Sequence, residues 1–445
     1  MPEQITIGSS TIAQQLKATG VAQVIVVLSR PPGAAGARGA SLQIRSHFTA
    51  SEKSQNTQIA RAERAQPSTP YRVYPNLGVI LGIVDRAGLS GLEHEAGVAL
   101  VSGAPQFSPI WPDAARAAAP PARTTWGIDR MKVPALWAQG LTGKGIRVGH
   151  LDTGVDGRHP TLRKAIAAFA EFDWTGARVD PTPDPYDTDD HGTHTAATIA
   201  GRAVQERRIG VAPAAELASA LVIEGGNVIA RVLGGLDWCV EQHARVISLS
   251  LGLRGWWEDF IPIVDILRAR NILPVIAVGN EGPGTSRSPG NYSQSLSIGA
   301  HDKNDRVPLF SSSQSFNRPD PLVPDLIAPG VDVISAQPGN RYQSMDGTSM
   351  ATPHVAGLAA LLLEAKPSAT VGELQQAIYS ACSLPRGVPA ERGNRGIPDA
   401  VEALAALTGT VIGPTRRRRA PRAQPVSNRR RARKRKSGRA RARTR

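Results

Sequence analysis

Apolar residues fall into short runs that alternate with stretches of helical periodicity between residues 125 and 408. The runs are IRVGHLD, LASALVI, ARVISLSLG, LPVIAVGN and SLSIGA. Continuous apolar runs separated by helices are typical of a parallel sheet that is covered on both faces. The pattern therefore predicts an α/β domain over 125–408, with a doubly wound, mostly parallel sheet and helices on both faces.

A smaller zone, from about 20 to 110, has its own pattern. Two strand-like runs, VAQVIVVLS and LGVILGIVD, are each followed by helix-compatible sequence, and a third apolar run, GVALVSGA, comes next. Strands and helices in this alternation predict a small α+β domain. Residues 1–20 are expected to be an unstructured leader, and the Ala/Pro-rich stretch 111–124 to be a linker.

The net charge of +15 is concentrated at the C-terminal end of the chain. Residues 415–445 contain 16 Lys and Arg and no Asp or Glu, so +15 less 16 leaves −1 on the rest. A segment so charged and so poor in apolar residues is expected to be disordered, and we assign 409–445 to such a tail. It either binds anionic partners or nucleic acid non-specifically, through counterion release, or is a solvated extension.

Targeting signals and cysteines place few constraints on the compartment and the fold. The N-terminus has no basic segment followed by an apolar run, so no Sec signal peptide is predicted, and no run reaches the roughly 18 apolar residues of a membrane span. We expect a cytoplasmic protein, with secretion by another route or from a different start as the alternative. Cys239 and Cys382 are too few for a disulfide framework and are expected to be free thiols.

The Asp152-Thr-Gly sequence ends the first apolar strand of the large domain and allows two interpretations. In aspartic proteases, two such carboxylates lie a few ångströms apart and share a proton. The chain contains no second Asp-Thr-Gly or Asp-Ser-Gly, so a dimer would have to supply it. Alternatively, an aspartate at a strand end orients a histidine that acts as a base for a nucleophile.

Two further segments favour the second interpretation. DDHGTHTAATIAG contains His191, and DGTSMATPHVAG contains Ser349 at the start of a helical pattern. A serine there has its amide and the positive end of the helix dipole directed at the reaction centre, which is half of an oxyanion hole. Asn280, at the end of the apolar run LPVIAVGN, supplies a side-chain donor for the other half. The order Asp152, His191, Ser349 separates this arrangement from those of chymotrypsin and the α/β-hydrolases.

These segments resemble those of the subtilases, the subtilisin-like serine proteases. VGHLDTGVD, DHGTHTAATIAG, ISLSLG, VIAVGNEG, PDLIAPGVDVIS and GTSMATPHVAG carry the resemblance, over nearly all of 125–365. It implies a serine endopeptidase with a subtilisin-like fold, whose triad is Asp152, His191 and Ser349, and whose oxyanion hole is Asn280 with the Ser349 amide. It also implies the following cleft residues: Ser250, Leu251 and Gly252 on one edge, Ala277, Val278 and Gly279 on the wall of the P1 pocket, and Gly225 and Gly226, within Glu224–Asn227, on the opposite edge.

The resemblance also implies how the protein is made. The domain at 20–110 is similar to a subtilase propeptide, which templates the catalytic domain, blocks its cleft and is cut off between about 107 and 125. The chain is then a self-processing zymogen that acts as a monomer on polypeptides and needs no cofactor. AGRAVQERRIGVAP is short and basic where many subtilases carry a calcium loop, so that site is expected to be absent, while a weak calcium site elsewhere stays open.

Individual histidines and the domain as a whole allow other interpretations. His191 and His194 form an H-x-x-H pair, but no following Glu and no third ligand support a zinc site. His194 and His354 are therefore assigned to packing, and His150 to the core with a tuning role open. The rival to an active enzyme is an idle subtilase fold that serves as a peptide-binding module, against which the intact triad argues.

Overall fold

The computed structural model describes residues 6–8, 10–29, 39, 43–49, 70–224 and 227–410. Predictions for the tail beyond residue 410, and for Gly225 and Gly226, lie outside the described residues. The chain up to Val411 forms one compact unit. Within the described part, no helix is both long and apolar enough to cross a membrane.

The N-terminal part is built on a five-stranded sheet of order β1-β5-β2-β4-β3. Its strands are β1 Thr6–Gly8, β2 Ala22–Leu28, β3 Tyr71–Tyr74, β4 Val79–Val84 and β5 Val98–Gly103, and its helices are Ser10–Thr19 and Arg86–Glu93, with a 3-10 turn at Arg45–His47. Strand β1 pairs with β5 in parallel, and the other pairings are antiparallel.

The described residues 6–8 and 10–20 differ from the unstructured leader that we expected for 1–20. They contain β1 and the helix Ser10–Thr19. Ile12 and Leu16 are spaced as on one face of a helix, and both pack against the apolar core under the small sheet. The burial of this face stabilises a helix that is short and carries little other signal.

A short segment leads from the small sheet to the large domain. It contains β6 Ser108–Pro109 and β7 Ala114–Ala118. β7 lies within the stretch 111–124 that we expected to be a linker, and it pairs with a strand of the large domain. An Ala-rich sequence has low strand propensity, so the strand forms because its partner supplies the hydrogen-bond ladder.

The large domain is built on a seven-stranded sheet of order β18-β15-β13-β11-β8-β10-β9, in which every pairing is parallel. Its strands are β8 Arg147–Asp152, β9 Ile166–Glu171, β10 Glu216–Leu221, β11 Val246–Leu249, β13 Leu273–Ala277, β15 Leu296–His301 and β18 Leu326–Pro329. The smaller strands are β12 Leu251–Arg254, β14 Arg287–Ser288, β16 Gln314–Ser315, β17 Leu322–Val323, β19 Val333–Gln337, β20 Arg341–Asp346, β21 Cys382–Ser383 and β22 Ile397–Pro398.

Helices cover both faces of this sheet. Successive strand residues face opposite sides, and on β8 the His150 side chain bonds to Thr195 of one helix while Leu151 lies beside Gly235 of another. The helices of the domain are Trp126–Arg130, Val133–Trp137, His191–Ala200, Val228–Glu241, Ile261–Ala269, Thr348–Ala365, Val371–Ser380, Ala390–Gly393 and Ala400–Thr408, with a 3-10 turn at Glu258–Phe260. The predicted doubly wound α/β fold is confirmed.

The helix Thr348–Ala365 runs through the centre of the domain. Its residues from Thr348 to Leu363 are all buried, which explains why its sequence is apolar on every side rather than amphipathic. It packs against the helix His191–Ala200 and against β11, β13, β15 and the edge strand β18. The ends of these buried elements, where polar side chains emerge, set the position of the site described next.

Candidate active site

The three residues predicted to form the triad lie at the ends of three different elements. Asp152 is the last residue of β8, His191 is the first residue of its helix, and Ser349 is the second residue of the helix Thr348–Ala365. All three side chains are buried. Because each element is packed on the same sheet, the three groups are held at its carboxyl edge, where parallel α/β folds carry their sites.

The aspartate and histidine form a tight pair. His191 Nδ1 lies 2.7 Å from Asp152 Oδ1, which also accepts the Thr153 backbone N–H at 2.8 Å. Burial opposes both charges, but their attraction and mutual hydrogen bond outweigh it. The pKa of Asp152 therefore lies below its usual value and the pKa of His191 above it. The carboxylate only accepts, so Nδ1 carries the proton and Nε2 is left with its lone pair.

The second carboxylate oxygen of Asp152 belongs to a chain of hydrogen bonds that the sequence did not reveal. Thr195 Oγ1 donates to Asp152 Oδ2 at 3.0 Å and lies 2.8 Å from His150 Nε2. The other ring nitrogen of His150, Nδ1, lies 2.9 Å from Ser219 Oγ. Burial is the main cause that lowers the pKa of His150 to about 4, so the ring is neutral and links the two hydroxyls.

Asp187 fixes the turn that precedes the His191 helix, and sequence reasoning also missed it. Its carboxylate accepts the Thr153 hydroxyl at 2.7 Å and the Thr193 backbone N–H at 2.6 Å. Burial raises its pKa to about 6 against these hydrogen bonds. The only sequence signal was the pair of threonines that follow Asp152 and His191, which carry no chemistry of their own.

Asn280 is oriented by the start of the serine helix. Its Oδ1 accepts the Thr348 backbone N–H at 2.9 Å and the Thr348 hydroxyl at 2.8 Å. The amide nitrogen is thereby turned into the cleft, where Nδ2 donates to the Trp111 carbonyl at 2.8 Å. At Gly347 an added Cβ would lie 3.2 Å from this nitrogen, so a larger residue there would crowd the donor. A side-chain donor therefore stands beside the predicted nucleophile.

The first edge of the cleft holds a segment of the same chain. β12 pairs antiparallel with β6, with Gly252 opposite Ser108 and Leu251 opposite Pro109. The Ile110 N–H then donates to the Ser250 carbonyl at 3.1 Å. The residues that the resemblance placed on this edge therefore contact an extended peptide. Beyond that point, Ser349 Oγ donates to the Ile110 carbonyl at 2.7 Å.

The segment continues across the site to a second edge. The Asp113 N–H donates to the Asp346 carbonyl at 2.7 Å, and β7 then pairs antiparallel with β20 along its whole length. Arg116 bonds to the Asp346 carboxylate at 2.9 Å and to Asp332 at 2.9 Å. The chain from β6 to β7 thus pairs with both of these edges, β12 and β20.

The remaining predicted cleft residues fall into two groups. Ala277, Val278 and Gly279 are buried where β13 ends, next to Asn280. Gly279 has φ 121°, which favours glycine. Their role as a P1 wall stays a prediction, as does the opposite edge at Gly225 and Gly226, which lies outside the described residues.

The remaining histidines predicted to be structural bond to backbone carbonyls, and the two cysteines form no disulfide. His194 Nε2 bonds to the Val333 carbonyl at 2.9 Å, and His354 Nδ1 to the Met350 carbonyl at 2.8 Å. Within the described ranges, no group of three or more His, Cys, Asp or Glu side chains is arranged to hold a metal ion. Cys239 is buried, Cys382 is partly buried, and both are free.

Fold and site together define a class of protein. The fold is a doubly wound parallel sheet. The site combines an Asp–His pair, a serine at a helix N-terminus, an asparagine donor and a cleft that holds an extended peptide. This combination is typical of serine peptide hydrolases. Residues 143–402 match the subtilase family. The chain belongs to this family.

Named relatives support the assignment. The chain is 38% identical over 245 residues to Subtilisin Savinase of Lederbergia lenta. This match covers 55% of this chain and 85% of the relative. It is 38% identical to M-protease of Shouchella clausii (strain KSM-K16), over 55% of this chain and 60% of the relative. It is 34% identical over 265 residues to Subtilisin E of Bacillus subtilis (strain 168), and this match covers 58% of this chain and 66% of the relative. The match thus spans about 60% of M-protease.

Proposed function

We propose that this protein is a serine endopeptidase that cleaves polypeptides and is made as a self-processing zymogen. Asp152, His191 and Ser349 form its triad, and Asn280 with the Ser349 amide forms its oxyanion hole. The observation that carries the proposal is the position of the chain's own segment. It crosses the cleft as an extended peptide, and the carbonyls of its neighbouring residues Ile110 and Trp111 accept hydrogen bonds from the Ser349 hydroxyl and the Asn280 amide, respectively.

The proposed chemistry assigns one role to each of these groups. Ser349 Oγ attacks the scissile carbonyl carbon while His191 Nε2 accepts its proton, and Asp152 stabilises the resulting imidazolium. The developing oxyanion accepts hydrogen bonds from Asn280 Nδ2 and the Ser349 N–H. The protonated His191 then gives its proton to the leaving amine, and water releases the acyl group by the same steps in reverse order.

The contacts of the N-terminal domain support its proposed role as an inhibitor of this site. Asp237 accepts the backbone N–H groups of Asn76 at 2.7 Å and Leu77 at 2.8 Å, and Asp259 accepts that of Gly103 at 2.9 Å. Hydrogen bonds to carboxylates are among the stronger polar contacts in proteins. They dock the small domain on the large one and thereby deliver the following segment to the cleft, as an intramolecular inhibitor requires.

Casein hydrolysis and an active-site probe test the proposal. The processed wild-type protein is expected to hydrolyse casein, to react with a fluorophosphonate probe at Ser349 and to resist pepstatin. Ser349→Ala should lose hydrolysis and labelling, while the control Ser293→Ala, at an exposed position, should keep both. Wild type that neither hydrolyses casein nor takes the probe would instead favour an idle, peptide-binding fold.

Inhibition by the separate N-terminal domain tests the zymogen part. Residues 1–120, added at micromolar concentration, should inhibit the processed enzyme, because the contacts made by Asp237 and Asp259 do not require a covalent link. Absence of inhibition at that concentration would contradict the assignment of this domain as a propeptide, without touching the assignment of the triad.

A further inference from the structure

The backbone pairing on the first edge of the cleft ends at one residue. Ser108 and Pro109 pair with β12, and the Ile110 N–H donates to the Ser250 carbonyl. The next acceptor along the segment, the Ile110 carbonyl, is the one that the Ser349 hydroxyl meets at 2.7 Å. The ladder therefore delivers the carbonyl of Ile110, and no earlier carbonyl, to the nucleophile.

The two side chains at this point differ sharply in exposure. The Ile110 side chain is 1% exposed, whereas Trp111 is 49% exposed. Substrate pockets of peptide hydrolases bury the side chain on the acyl side of the bond that is cut, and this burial selects among substrates. An enclosed aliphatic residue followed by a half-exposed aromatic one places the boundary between the two sides of the cleft after Ile110.

The leaving nitrogen is also well placed. The Trp111 ring lies edge-on to the His191 ring, with 6.1 Å between the centroids, so Trp111 adjoins the general acid. The nitrogen of Trp111 is an ordinary amide nitrogen. The next peptide bond joins Trp111 to Pro112, whose nitrogen is locked in a ring and carries no hydrogen. Of the two bonds, the first therefore has the simpler leaving group.

We propose that the active site cleaves its own chain at the Ile110–Trp111 bond, an inference that rests on the proposed endopeptidase function. Ser349 Oγ bonds to the Ile110 carbonyl carbon, and its proton passes to His191 Nε2. The C–N bond to Trp111 then breaks as this nitrogen takes the proton from His191. Water hydrolyses the resulting ester, which leaves a carboxylate on Ile110 and a new N-terminal amine on Trp111.

The two groups that act on this bond contact neighbouring carbonyls in the structure. Asn280 Nδ2 donates to the Trp111 carbonyl, while Ser349 Oγ contacts the neighbouring carbonyl of Ile110. Attack requires the oxyanion donor and the nucleophile to serve the same carbonyl group. His191 Nε2 also has no hydrogen-bond partner among the described residues. The Ile110 carbonyl must therefore move into the place of the Trp111 carbonyl before the bond is cut.

Intact mass and N-terminal sequencing of the full-length protein test the assignment. After incubation, wild type should yield a product that begins with WPDAAR, while Ser349→Ala stays at full length. A product that begins at Pro112, or at any other residue when the trimming is followed from its earliest time point, would overturn the assignment. The two products differ by one tryptophan, which intact mass separates.

A synthetic peptide of residues 106–116, QFSPIWPDAAR, gives a test that does not depend on folding of a variant. The processed enzyme should cut it between Ile and Trp. Asp in place of the Ile110 equivalent should lower kcat/KM at least about 100-fold, because a charge would enter an enclosed site. Asp in place of the Trp111 equivalent should lower it less than about tenfold, because that side chain is half exposed. The reverse order would refute the assignment.

Failure of this inference is distinguishable from failure of the proposed function. If the processed protein takes the fluorophosphonate probe and hydrolyses casein but begins at another residue, only the assigned bond is wrong. If neither labelling nor hydrolysis occurs, the endopeptidase function is wrong and the assignment of the bond falls with it.

Discussion

Replacement of His150 by Gln isolates the effect of one buried histidine on stability in acid. The ring is enclosed beside Asp152, bonds to Ser219 and Thr195, and faces the His191 pair through that aspartate. Glutamine can donate to the threonine and accept from the serine, as the neutral ring does, but it does not titrate. The variant therefore keeps the hydrogen bonds and removes only the proton equilibrium.

The magnitude follows from the pKa. In the folded protein the pKa of His150 is about 4, below its ordinary 6.5, chiefly because burial disfavours the charge. Only the unfolded chain binds the proton between these values, so the stability that the neutral ring contributes is complete above pH 6.5 and is lost as the pH falls towards 4. Between pH 7.5 and 4.5 this linkage amounts to about 2–3 kcal/mol of unfolding free energy.

The assay is urea unfolding of Ser349→Ala proteins, which cannot digest themselves, at pH 7.5 and 4.5. Between the two values, the parent should lose about 2–3 kcal/mol more than the protein that also carries His150→Gln. His243→Gln, at an exposed position, serves as control and should leave the loss as in the parent. If the losses of unfolding free energy between pH 7.5 and 4.5 differ by less than about 0.5 kcal/mol between the parent and the His150→Gln protein, the reasoning is refuted. The other buried histidines do not affect this comparison, because they are common to both proteins.

Three further changes test the site and the docking of the N-terminal domain. Asn280→Leu should lower kcat on a peptide substrate about 10²–10³-fold, a magnitude known for this role in subtilisin, a relative; an unchanged kcat would exclude Asn280 as the donor. Asp237→Ala removes the acceptor of two backbone N–H groups and should weaken inhibition by separately added residues 1–120 about 100-fold; an equal inhibition constant would contradict the docking role. Gly192→Ala would bring a Cβ to 2.1 Å from the Gly154 carbonyl oxygen and should lower kcat/KM at least about 100-fold, while Gly372→Ala, which meets nothing, should not; equal activities would show that the turn tolerates the clash.

The residues of the predicted triad could be found from sequence because each one ends or begins a buried element. An apolar run that stops at Asp152, and small-residue helices that start near His191 and Ser349, place polar groups at one edge of a parallel sheet. Asn280 follows the same logic after β13. The fold class rests on the same alternation, which is why both could be inferred without coordinates.

The hydrogen bonds behind the triad could not be found in this way. Thr195 and Asp187 act through geometry, since one hydroxyl and one carboxylate reach Asp152 and its turn from other elements. Nothing in the local sequence separates them from an ordinary helical threonine or loop aspartate. For His150, strand position indicated burial, but its partners on β10 and on the His191 helix depend on how these elements pack.

The segment 107–118, which overlaps the predicted linker 111–124, shows a different limit. Its Ala- and Pro-rich sequence is typical of a linker, and its two short strands exist because the large domain offers free edges at β12 and β20. The same holds for β1, whose partner strand β5 lies more than 90 residues later in the sequence. A strand that forms because a partner distant in sequence pairs with it needs no periodic pattern of its own. Such strands therefore cannot be predicted from the local pattern of apolar and polar residues.

The pairing on the two edges of the cleft leaves a short unpaired stretch between them. The first edge holds the segment up to the Ile110 N–H, and the second holds it from the Asp113 N–H onwards. Between them lie Trp111 and Pro112, and Pro112 has no N–H to pair. Both ladders can therefore stay intact while the peptide between them rotates and exchanges one carbonyl for the next at Asn280. The rearrangement that the proposed cleavage requires is then confined to two residues, and substitutions at Pro112 should change the rate of processing without changing the docking of the N-terminal domain.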